Sequence, residues 1–265
     1  MSLSALVLAA SEGGGGLEFP SIDLIVEYPS FIGGDAWYGF NKIALINLIA
    51  LVLTAIIFLA ADKKSLVPRG MRNLAEISVD FIDNGIIQQT IGHGGEKYLP
   101  YLASIFFFVF FGNIFEVIPA FHMPANARMA NPIFLGVLTL LFFVAVGLKA
   151  QGPKYFINAC SPPGVPKALY LLVAPIEFLS TFIVRPFSLA VRLFANLLAG
   201  HILLVTFSVL CITLFTASAL ILALPFSFFM LVAMTAFEIM VSFLQAYVFA
   251  ILAAVYIGGA AHPEH

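Results

Sequence analysis

From Leu220 to Ile257 the chain is almost wholly apolar, and Glu238 is its sole charged side chain there. At the 1.5 Å rise of an α-helix, about 20 such residues already cross a hydrocarbon core of about 30 Å. In lipid every backbone N–H and C=O must find its partner inside the segment, so a stretch of this kind has one way to fold, as a helix.

The same pattern recurs upstream. Ile43 to Ala61 carries no charge and reads as a first span, 43–61. A second, 98–121, is entered past Lys97 and meets Pro119 near its far end, with Asn113 and Glu116 one turn apart. A third, 132–148, returns to Lys149 and Lys154. The fourth and fifth, 165–218 and 220–257, exceed the 17 to 25 residues of an upright span. They are therefore expected to be strongly tilted or bent, with Pro175, Pro186 and Pro225 as the bends. Residues 71–91 differ in kind. Met71, Leu74, Ile77 and Phe81 share one helical face while Glu76, Asp80 and Asp83 share another, as in an amphipathic helix on the cytoplasmic membrane surface or in a packed loop. The expected fold class is thus all-α and integral to the membrane, with about five transmembrane helices and one amphipathic surface helix. Residues 1–40 form an extracytoplasmic tail and 41–265 the membrane domain.

Charge sets the orientation. Eight of the twelve Lys and Arg residues (Lys63, Lys64, Arg69, Arg72, Lys97, Lys149, Lys154, Lys167) fall on one side of these spans, and Lys42 and Arg128 on the other. Short cytoplasmic loops carry the positive excess, so the N-terminus is expected outside and the C-terminus inside. An apolar content of 62% against 10% charged residues excludes a soluble globule, and a net charge of -2 with few basic residues excludes a nucleic-acid partner. Residues 1–10 are apolar, but no lysine or arginine precedes them, so they read as a plain tail rather than a signal peptide. Cys160 and Cys211 fit neither a metal spacing nor a disulfide framework, and no metal or cofactor is expected. No internal repeat of the secondary-transporter kind is visible.

At membrane depth the ionisable residues are Glu116, Glu177, Arg185, Arg192, His201 and Glu238, with Asn113, Asn196 and Gln245 as neutral companions. A charge at the bilayer centre costs roughly 2.5 to 3.5 kcal/mol, so Arg192 needs a water-filled cavity or a carboxylate. Arg185, beside Pro186, is shallow enough to snorkel. On one helix Ser188, Arg192 and Asn196 stack at four-residue steps, whereas His201, nine residues past Arg192, points to the opposite side. On the next, Glu238, Ser242, Gln245 and Phe249 form one stripe. That stripe is suited to face the Arg192 side of its neighbour, and a carboxylate such as Glu238 beside the His201 imidazole can pass protons near neutral pH. His201, Asn196 and Gln245 are equally suited to plain interhelical hydrogen bonding. The residues by themselves point to an ion or proton pathway in a helical membrane protein. A stand-alone anion or ion channel and a structural scaffold with paired buried charges are the competing classes.

The run RPFSLAVRLFANLLAGH, followed by FEIMVSFLQAYVFAILAAVYI, closely resembles subunit a of the F-type ATP synthases, from about Lys42 to Gly258. The RPFSLAVRLFAN spacing is more like bacterial, actinobacterial members. The resemblance implies a stator subunit that is not catalytic by itself but carries protons through two offset half-channels to and from a ring of c subunits. Arg192 would be the essential stator arginine, Asn196 its following asparagine, His201 the position held by histidine or glutamate, and Glu238 with Gln245 the last-helix polar pair. Glu116, within NIFEVIP, resembles the acidic residue of the outer channel, and Glu177 that of the inner one. Glu177 lies fifteen residues before Arg192, one more than the family spacing. The implied partners are the c-ring, the peripheral-stalk b subunits, the other synthase subunits and the lipid bilayer. The implied location is a bacterial plasma membrane, with the mitochondrial inner membrane as the alternative.

Overall fold

The computed structural model describes residues 41–61, 71–92, 94–118, 125–160, 169–216 and 221–261. The N-terminal tail, the loop of Lys63, Lys64 and Arg69, Pro119, Pro124 and Lys167 lie outside them. Among the described residues all regular structure is helical. We number the α-helices of five residues or more α1 (Lys42–Ala61), α2 (Met71–Ile82), α3 (Leu99–Ile114), α4 (Ala130–Gln151), α5 (Tyr155–Ala159), α6 (Tyr170–Leu179), α7 (Arg185–Thr216) and α8 (Leu224–Ala261). Five helical stretches of the described residues, Lys42–Leu59, Gly95–Ile114, Ala130–Ala159, Tyr170–Phe215 and Leu224–Ala261, are long and apolar enough to cross a membrane. The chain is an all-α membrane protein.

Two of the expected helices depart from regularity, each for a local reason. The second span stops at Ile114, and Glu116 sits in the turn beyond it, its N–H donating to the Asn113 carbonyl at 3.0 Å. Pro119 lies just ahead: proline cannot donate to the helix ladder and steers the residue before it out of α geometry. In the fourth stretch the break is a π-helical turn, Ser180–Val184, rather than a kink at a proline. The N–H of Arg185 reaches back five residues to the Ser180 carbonyl. Pro186 has no N–H for the ladder, and the wider turn before it accommodates its ring. Pro175 lies inside α6 without ending it. Pro225 falls in the first turn of α8, where a missing N–H costs nothing, so it opens a helix instead of bending one.

The described residues fall into two compact units. One comprises 41–49, 112–118, 125–128, 195–216 and 221–243; the other comprises the remainder. In the second unit α3 and α4 are joined by Tyr101, whose ring stacks on Phe142 at 3.6 Å and whose hydroxyl pairs with Thr139 at 3.2 Å. The chain after α2 enters this unit through a second π-helical turn, Asp83–Ile87, with Ile82, Ile86 and Ile87 fully buried. Phe81 packs on Phe106 and Tyr247. The amphipathic helix is therefore seated on protein at its C-terminal end, while Glu76, Ile77 and Asp80 are exposed.

Close helix contact in this unit depends on glycine. A Cβ on Gly136 would stand 2.7 Å from the Pro186 carbonyl oxygen, and one on Gly147 would enter the Tyr155 ring. Small residues let membrane helices approach to backbone contact, which is where dispersion forces and weak hydrogen bonds act. Because the neighbour of Gly136 is backbone, it cannot rotate away. Gly136→Val is expected to destabilise α4 against α7 by about 1–3 kcal/mol. A thermal-unfolding series in detergent that includes Gly259→Ala, whose Cβ would meet nothing within 4 Å, checks this.

Candidate functional site

In the first unit the charged groups come from three separate pieces of chain: the turn after α3, the middle of α7 and the first half of α8. Glu116 is completely buried, His201 is 2% exposed and Glu238 3%. His201 Nδ1 lies 3.6 Å from Glu116 Oε1. The sequence suggests Glu238 as a neighbour of His201; the structure adds Glu116 at ion-pair distance and places the Glu238 carboxyl at the adjoining Gly200. The cause is the early end of α3, which turns the Glu116 carboxyl inward at the turn instead of leaving it on a helix side.

Glu238 reaches the same place by another route. Its carboxyl lies directly on the backbone of α7 at Gly200, so closely that a Cβ there would collide with it. Glycine in a helix interior costs about 1 kcal/mol relative to alanine, which itself marks a position where packing requires it. Glu116 and Glu238 are near enough for each to feel the other's charge. Two carboxyls and an imidazole thus converge in a site closed to its surroundings. Ser242 Oγ and Asn113 Nδ2 are buried without a hydrogen-bond partner among the described residues, and beyond each other Glu116 Oε1 and Oε2 and Glu238 Oε1 have none either. Buried polar atoms are nearly always paired, so this concentration leaves a local demand for water or protons. Asn113 is itself held by Asn126, whose side-chain amide donates to its carbonyl at 2.6 Å, both residues being fully buried. Neither Asn126 nor Gly200 stands out in the sequence as a site residue; the signal at Gly200 is a glycine amid strong helix formers.

The other candidates lie elsewhere. Along α7, Arg192, Ala195, Asn196 and Ala199 are exposed, while Leu193, Leu197, Gly200, His201 and Leu204 are buried. Arg192 therefore occupies the outer side of its helix, and no carboxylate among the described residues is within ion-pair distance of it. Glu177 on α6 and Arg185 at the start of α7 are half-buried. The Arg185 guanidinium rests over the Tyr256 ring, 5.2 Å from its centre, so it is anchored on an aromatic face. Gln245 and Ser242 are buried on α8, as is Phe249 one turn further along. Among the described residues no group of three His, Cys, Asp or Glu side chains is placed to hold a metal ion.

Residues 43–258 match the family described as ATP synthase A chain. The chain belongs to this family. ATP synthase subunit a of Rhodococcus erythropolis is 42% identical over 269 residues, covering 99% of this chain and 96% of the relative. That of Frankia alni is 43% identical over 234 residues, 85% of this chain and 79% of the relative. That of Streptomyces lividans is 36% identical over 257 residues, 95% of this chain and 90% of the relative. The likeness to bacterial subunits a extends well beyond the motifs of α7 and α8. As a member of the family the chain is a multi-pass membrane subunit of an ATP synthase, and its role is that of the family's stator in ATP synthesis and ion transport.

The contact at Gly200 yields a graded expectation. Gly200→Ala forces the Glu238 carboxyl off the α7 backbone, and ATP-driven proton pumping in membrane vesicles is expected to fall several-fold with the complex still assembled. Gly259→Ala, which adds a methyl in open space, is expected to pump normally.

Proposed function

We propose that the buried cluster of Glu116, His201 and Glu238 is the outer half of a proton path, that Glu177 belongs to an inner half, and that Arg192 separates the two. The single observation that carries the reading is the convergence of three buried ionisable side chains, Glu116, His201 and Glu238, from three chain segments. Such a cluster is costly in apolar surroundings and is expected only where charge moves. An imidazole beside a carboxylate exchanges protons readily in the neutral range. Gln245, Ser242, Asn113 and Asn196 supply neutral hydrogen-bonding groups along the way.

The partner is a ring of c subunits that carry a carboxyl at mid-membrane. Arg192 on the exposed side of α7, flanked by Ala195 and Ala199, suits this: the small neighbours let another helix approach while the charge projects toward it. A guanidinium cannot give up its proton, so it draws each arriving carboxyl into its ionised form and repels protons from its own position. A proton then crosses only by riding on the ring. Each charge crossing 100 mV is worth about 2.3 kcal/mol, so several are needed for each ATP made by the other subunits. The length of the α6–α7 stretch and of α8 suits helices tilted along the curved ring. Peripheral-stalk b subunits complete the stator, the location is a bacterial plasma membrane, and the N-terminus faces outward with the C-terminus in the cytoplasm.

Arg192→Ala in the intact complex is expected to abolish coupled proton pumping while the subunit remains inserted and assembled. Normal coupled pumping by that variant overturns the reading. Glu238→Gln is expected to slow pumping more than Glu177→Gln does, since Glu238 sits at the convergence; equal or reversed rates reject the assignment. The purified chain alone in liposomes is expected to pass almost no ions, whereas substantial flux without the ring favours a stand-alone channel.

A further inference from the structure

The π-helical turn Ser180–Val184 lies between two charged residues, Glu177 and Arg185, on one continuous path of helix. In the sequence these two are eight residues apart, and Arg185 and Arg192 are seven apart. At about 100° per residue, seven residues bring a side chain back to within about 20° of the starting face, whereas eight leave it about 80° away. A plain α-helix would therefore align Arg185 with Arg192 and turn Glu177 aside. A π turn closes on its fifth residue instead of its fourth and so takes up one residue without advancing the face. The observed bond from the Arg185 N–H to the Ser180 carbonyl is that closure. With one residue absorbed, the spacing between Glu177 and Arg185 acts as seven, equal to the next step.

We infer that this turn is a phase corrector, which brings Glu177 into line with Arg185 and Arg192 so that the three form one polar stripe at intervals of about 10 Å. The inference rests on the proposed inner role of Glu177 and adds to it the element that aims this residue and a further positioning residue, Arg185. Three features agree with the arrangement. Glu177 is half-buried, as Arg185 is, while Ile176, Phe178 and Leu179 beside it are exposed. Arg185 is fixed on Tyr256 and cannot wander along the stripe. Pro186, next to it, denies the ladder an N–H and so holds the wide turn in place. Glu177 and Arg185 form no ion pair among the described residues. At about 10 Å they act on each other through the field rather than by contact, and Arg185 lowers the cost of a charged Glu177 without locking it.

The test uses the assembled complex in membrane vesicles, with ATP-driven proton pumping as the readout and co-purification of the complex as the control for folding. Exchanging two neighbours, Glu177→Phe with Phe178→Glu, moves the acid one residue closer to Arg185. If the turn corrects the phase, the moved carboxyl falls about 120° off the stripe. Pumping should then drop as far as it does for Glu177→Gln. If the face is set as in an unbroken α-helix, the same exchange brings the carboxyl into line and pumping is retained or improved, which overturns the inference. Deletion of Ile183 is the complementary variant. It converts the π turn to an α turn without moving Glu177 off the stripe, so pumping should stay within about twofold of the parent, and an assembled deletion that does not pump overturns the inference. If the deletion does not assemble, the exchange alone decides between the two geometries. Glu177→Gln separates the two layers, because normal pumping by that variant removes the inner-path role itself, whatever the turn does.

Discussion

An ionised side chain on a helix of membrane length is stable only where water, another charge or a partner's polar group receives it. Every unusual feature of this chain follows from having to meet that condition several times over. Glu116, His201 and Glu238 meet it together, converging from a turn and two helices, with His201 at ion-pair distance from Glu116 and the Glu238 carboxyl on Gly200 beside it. Arg185 meets it on the face of Tyr256. Arg192 differs from these, since it stands on the exposed side of α7 with no carboxylate of the described residues at ion-pair distance.

The helices are adapted to these placements by small local devices. Gly200 removes a side chain where the Glu238 carboxyl must lie on the α7 backbone, and a stabilising alanine there would occupy the same space. α3 ends at Ile114, and Glu116 is buried in the turn beyond it. The π turn before Pro186 changes the face on which Glu177 appears. None of these devices adds a charged group; each changes by a few ångströms or some tens of degrees where an existing one points. In a low-dielectric interior such shifts weigh heavily, because interaction energies that water would screen are felt at nearly full strength.

Some of this geometry was legible in the residues alone. The five apolar stretches, the placing of His201 and Arg192 on opposite sides of one helix, and the common stripe of Glu238, Ser242 and Gln245 follow from segment length and from counting at 100° per residue; which of these faces is buried does not. Counting failed where the helix changed its pitch or stopped. It set Glu116 on a helix side, and it did not show that Glu116 comes within 3.6 Å of His201.

By itself, then, the sequence determined that this chain is a set of long apolar helices carrying a few ionisable residues, and on which face of each helix most of them lie. That much is local: hydrophobic length and the 3.6-residue repeat are properties of a segment and need no partner. Which charges meet was decided only by the tertiary structure. The contact of Glu116 with His201, the seat of Glu238 at Gly200 and the bond of Asn126 to Asn113 depend on how separate segments pack and where each helix ends, and no periodicity within a single segment encodes a distance to another.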